Sequence, residues 1–105
     1  MKEKMRLYGF INVQDPKKID VLREIFTDFD LKIDENRIDF DLEEVFIDPE
    51  EYIEKLQEVL SDQDSGQIDF INFDEWQMTR YEIEGSKIHP RKIHLDGALE
   101  KYIYE

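Results

Sequence analysis

Residues 37–47 read Arg-Ile-Asp-Phe-Asp-Leu-Glu-Glu-Val-Phe-Ile, and this stretch decides the fold. Ile38, Phe40 and Leu42 alternate with Asp39, Asp41 and Glu43, the period-two pattern of a strand with one face in a core and the other in water. After Arg37 every water-facing residue is a carboxylate, so the strand that anchors a core also lays a row of negative charge along its outer side. The alternation slips beyond Glu44, because Val45, Phe46 and Ile47 are consecutive apolar residues. That slip predicts a bulge or the end of strand pairing.

Working outward, Leu31-Lys32-Ile33 is a short alternating run, and the polar residues Asp34 to Arg37 predict a tight turn and a hairpin into the central stretch. Asn36 is the residue best suited there to a positive φ. Met5 to Val13 places Leu7, Gly9, Ile11 and Val13 on one side and Arg6, Tyr8, Phe10 and Asn12 on the other, which predicts a central strand buried on both faces. Asp15-Pro16 and Asp48-Pro49 each predict a helix start: the carboxylate caps free backbone N–H groups, and proline presets φ where no donor is needed. Ile19, Leu22, Ile25, Phe26 and Phe29 then form one helical stripe, and Tyr52, Ile53, Leu56, Val59 and Leu60 a second. Gly66 is expected to end the second helix in a left-handed turn. Two more strands, Ile68 to Phe73 and Trp76 to Ile83, are expected to pair through Asp74-Glu75. Gly85-Ser86 breaks the chain, and Leu99, Tyr102 and Ile103 suggest one or two final helical turns.

Strand, helix, hairpin, helix, strand resembles the ferredoxin-like fold in layout. The expectation is therefore α+β: a ferredoxin-like (split βαβ) antiparallel sheet with two helices on one face, plus a C-terminal β-hairpin and short-helix extension, in one domain spanning 1–105. The second sheet face then carries Tyr8 and Phe10 and requires a cover. Either the region from Trp76 onward supplies it, or a second copy does, as a homodimer through the open sheet face.

Hydrophobic residues make up 40% of the chain, with seven Phe, five Tyr and one Trp, enough to fill one core. The absence of cysteine excludes disulfides and thiolate metal sites. No apolar run approaches the roughly 18 residues of a membrane span, and a cytoplasmic location with no membrane partner is expected. Formal net charge is −13, and residues 28–75 hold 18 of the 27 acids but three of the 14 bases. Such a field repels phosphate backbones, so no direct nucleic-acid binding is expected, and it speeds encounter with a basic partner.

Sites of chemistry are scarce. Asp62 to Asp69 resembles a calcium loop in composition, but setting Gly66 at position six puts Ser61 at one, Gln63 at three and Asn72 at twelve, so the aspartates fall out of register. His89 and His94 lie five residues apart across a proline, share no helix face and belong to no nucleophilic triad; exposed loop positions are expected for both. Lys87, Arg91 and Lys92 form too small a basic footprint for nucleic acid. Trp76, Tyr81, Tyr102 and Tyr104 are expected to pack in the core or over the sheet before forming a contact patch. No catalytic residue, metal ligand or cofactor is assigned.

The expected role is a non-catalytic acidic interaction domain that binds a basic protein partner, of the inhibitor, immunity or nucleic-acid-mimic type. The candidate contact residues are Asp39, Asp41 and Glu43 on the strand and Glu50, Glu51, Glu54 and Glu58 on the second helix. The alternative is a ferredoxin-like small-molecule sensor or minor enzyme, acting as a dimer, with a pocket lined by Tyr8, Phe10, Phe73 and the histidines.

Overall fold

A segment becomes strand where a neighbour completes its hydrogen bonds, and among the described residues six segments do so. The computed structural model describes residues 5–93; the expectations for His94, Leu99, Tyr102, Ile103 and Tyr104 lie outside them. In chain order the elements are β1 (Met5–Asn12), α1 (Lys18–Ile25), β2 (Asp30–Ile33), β3 (Arg37–Glu44), α2 (Pro49–Val59), β4 (Ser65–Asn72), β5 (Gln77–Glu84) and β6 (Lys87–Ile93). All neighbours pair antiparallel. β3 ends at Glu44, where the alternation slips.

The fold expectation needs correcting. Among the described residues the sheet has six strands in the order β2-β3-β1-β4-β5-β6, which is not a simple ferredoxin-like split βαβ arrangement. A sheet ending at β4 leaves a row of backbone N–H and C=O groups unpaired along that strand. The loop of residues 73–76 folds β5 back onto this edge, and the two-residue turn Gly85-Ser86, with Gly85 at φ 65, adds β6. Residues 77–93 therefore lengthen the sheet and do not cover its second face. His89 accordingly sits on an edge strand, not in a loop.

The core lies between the sheet and the helices. Leu7, Ile11, Leu22, Phe26, Ile38, Leu56 and Ile68 are fully buried in one cluster that takes the inner stripes of both helices. Phe26 stacks on Phe40 at 4.1 Å between centroids, and Phe29 meets both rings edge-on, a geometry that adds to the stabilisation from burial alone. Asp48 caps α2 by accepting from the Glu50 N–H, with Pro49 at the first helical position. Asp15 accepts from the Lys17 N–H one turn ahead of α1.

Three local expectations also change. β1 is central, but Arg6, Tyr8, Phe10 and Asn12 on its second face are only half-buried. Gly66 belongs to β4, against β1, and ends no helix. The positive-φ residue among the described non-glycines is Trp76, at φ 55, not Asn36.

One buried acid ties the loops together. The Asp64 carboxylate is fully buried and accepts from the Gln14 N–H at 2.9 Å, the Ser61 N–H at 2.8 Å and Lys18 Nζ at 2.7 Å. Burial works against its ionisation, but these donors outweigh it and hold the carboxyl below its ordinary range.

Candidate functional site

Strand register sorts the acids of the middle third into two populations. On the sheet face away from the helices, Asp39 and Asp41 of β3 stand opposite Phe10 and Tyr8 of β1, and Asp69 of β4 stands opposite Tyr8 and Arg80. Each acid meets an arginine. Asp41 accepts from Arg6 Nε at 2.9 Å and Nη2 at 2.7 Å, and Asp69 from Arg80 Nε at 2.9 Å and Nη2 at 3.2 Å. Arg37 reaches Asp39 at 3.0 Å and Arg91 reaches Glu82 at 2.8 Å. Arg6 also lies over the Tyr8 ring at 4.3 Å and Arg37 over Phe10 at 4.2 Å, so cation–π attraction reinforces the pairing. The Arg6 and Arg80 guanidiniums are held more firmly protonated by their hydrogen bonds to Asp41 and Asp69. Burial, and then the charge of Asp69, pushes the Tyr8 phenol up.

A shallow depression of about 440 Å³ crosses this face, lined by Tyr8, Phe10, Asp39, Asp41, Gln67 and Asp69 among others. It includes two aromatic residues of the expected small-molecule pocket but neither Phe73 nor His89. Phe73 packs instead with Ile71 and Met78. The charge of Asp39, Asp41 and Asp69 in this depression is already matched by arginines.

The second population lies at the end of β3 and along α2. Asp28, Asp30, Asp41, Glu43 and Glu44 gather around a depression of about 280 Å³, and of these only Asp41 forms an ion pair with a described residue. The Tyr52 phenol is pushed up by burial and then by Glu51, Asp28, Asp48 and Glu44. The charges that act on it are thus carboxylates drawn from α1's end, β3 and α2, while its ring packs on Phe26 and Phe29. On α2 itself, Glu50, Glu51, Glu54 and Glu58 are exposed. Lys55 comes no nearer than 3.9 Å to Glu51. Tyr81, which burial and Glu50 push up to about 12, donates to Glu50 at 3.2 Å.

The seven candidate contact residues are therefore not one patch. Asp39, Asp41 and Glu43 project from the sheet face opposite the helices, whereas Glu50, Glu51, Glu54 and Glu58 lie in the helical layer. Glu43, at the β3 terminus, stands nearest the junction of the two. Sequence reasoning missed Asp28, Asp30 and Glu44, which come together only through the β2–β3 pairing and the approach of α1's end.

Among the described residues no group of three or more histidines, aspartates or glutamates is arranged to hold a metal ion, and no helix is long and apolar enough to cross a membrane. No family model, curated protein or solved structure matches this chain.

Proposed function

We propose that the protein is a non-catalytic acidic interaction domain that docks on a basic protein surface. The observation that carries this is the acidic end of β3 continued by α2: Glu44, Glu54 and Glu58 are exposed and form no ion pair with any described residue. Like charges spaced four apart on a helix destabilise it by a few tenths of a kcal/mol per pair, and Glu50, Glu54 and Glu58 are so spaced. An arrangement that costs the free protein stability is repaid on a surface bearing lysine and arginine, which also steers encounter. Asp39, Asp41 and Glu43 face the other side of the sheet, the first two matched by arginines and Glu43 opposite Arg6, so the contact is centred on Glu44 and α2.

The test is recovery of partners from the protein's own lysate at low and high salt, beside a variant with Glu50, Glu51, Glu54 and Glu58 all changed to Gln. Basic proteins released by salt and lost with the variant are expected. Neutral partners that survive high salt and bind both forms equally contradict the proposal.

A further inference from the structure

Among the described residues five large hydrophobic side chains stand exposed, and three of them, Val45, Phe46 and Trp76, lie at one end of the sheet. The register places them there. Glu44, Met5, Asn72 and Gln77 are lateral neighbours across β3, β1, β4 and β5, with Val45 and Phe46 following Glu44 and Trp76 preceding Gln77. Three interstrand steps of about 4.8 Å set the two strand ends roughly 14 Å apart. Phe46 is 72% exposed and Val45 60%, although the next residue, Ile47, is buried. Trp76 is 44% exposed and holds the left-handed conformation, which a side chain adopts at a cost. Strain of that kind gathers where a protein binds or switches. Glu43, Glu44, Asp48 and Glu75 flank these residues in sequence.

We infer that Phe46 and Trp76 are the aromatic anchors of the docking surface, entering apolar pockets rimmed by lysine or arginine on a basic protein partner. The inference rests on the partner proposed above and adds the apolar half of its recognition. Aromatic side chains concentrate in the centres of interfaces, where a polar rim excludes water around them. The flanking carboxylates select against a purely apolar partner, which leaves them desolvated and unmatched. They also select against a second copy of this chain, which brings like charges together.

Two synthetic peptides of equal positive charge serve as probes, an oligolysine and an alternating lysine–leucine peptide. Each is titrated into the full chain at low salt, read by calorimetry and by the emission of Trp76, the chain's single tryptophan. The expected result is about tenfold tighter binding of the lysine–leucine peptide, with a blue shift. Phe46→Ala is expected to remove most of that preference, with Trp76 retaining the rest, without lowering the thermal midpoint. Equal affinities in the unaltered protein, or undiminished lysine–leucine binding by Phe46→Ala, overturn the anchors and leave the charge-based contact standing. Failure of both peptides to bind overturns both proposals. A dimer seen in sedimentation and abolished by Phe46→Ala assigns the aromatic end to a second copy, and overturns the partner inferred here.

Discussion

The open face of the sheet and the outer face of α2 treat their carboxylates in opposite ways. On the sheet, Asp39, Asp41, Asp69 and Glu82 each meet an arginine at 2.7 to 3.0 Å. On α2, Glu54 and Glu58 meet no described cation and Glu51 has Lys55 at 3.9 Å. The difference comes from geometry. Register hands each strand residue a cross-strand neighbour that chain order does not reveal, and here it delivers Arg80 to Asp69. The outer face of a helix offers mainly its own i+4 partners, and for Glu50 and Glu54 those are further glutamates, although Glu50 also accepts from Tyr81. Counting acids along the chain thus overstates the field of one face and describes the other well.

Asp64, the more deeply buried of two buried aspartates, should show the largest effect. Asp64→Ala strips acceptors from two backbone amides and a partner from Lys18, and unfolding in urea should show a loss of about 3–5 kcal/mol. Because the folded carboxyl lies below its ordinary range, its contribution is present above the unfolded pKa and lost as pH falls through the folded one. An Asp64→Ala protein as stable as the original places the acids' structural role elsewhere.

Tyr81, on the helix side of β5, donates to Glu50 of α2, and its pKa is raised from 10 to about 12. The unfolded chain therefore releases this proton first, so stability present below pH 10 falls as pH rises toward 12, by roughly 2–3 kcal/mol. Tyr81→Phe should flatten that alkaline loss in denaturation curves taken at stepped pH. An unaltered slope shows that another group carries the alkaline loss.

Smaller effects separate the two faces directly. Asp41→Asn should lower stability by about 1 kcal/mol, since it breaks a bidentate pair. Glu54→Gln with Glu58→Gln should raise it by a few tenths of a kcal/mol per relieved contact. Moderate NaCl should raise the thermal midpoint of the unaltered protein by screening, and raise that of the double glutamine variant less. Changes of the same sign on both faces break the comparison.

Local signals were legible in the sequence, and long-range ones were not. Asp48-Pro49 announces α2 because capping and preset φ act within one turn, and the alternation of residues 38–43 announces β3 because its period is its own. The Asp34–Arg37 hairpin and the pairing of β4 with β5 through Asp74-Glu75 follow from short connections. The full strand count escaped, because whether 77–93 covers a sheet or lengthens it depends on an open edge that no residue advertises. Asp64 was visible only as a misplaced calcium ligand, since its donors include Gln14, 50 residues away. Phe46 marked itself by the slip at 45–47, but the slip does not say which of three apolar residues turns inward; Ile47 does.

In the proposed function the α2 glutamates, and not the arginine-matched acids of the sheet, meet a basic partner. Calorimetric titration of oligolysine at low salt into two full-length variants tests it. One carries Glu50, Glu51, Glu54 and Glu58 changed to Gln, the other Asp39→Asn, Asp41→Asn, Asp69→Asn and Glu82→Gln, so each loses four negative charges. The helix variant should lose most of its affinity while the folded sheet variant keeps it. Equal loss in both, or a greater loss in the sheet variant, contradicts the account.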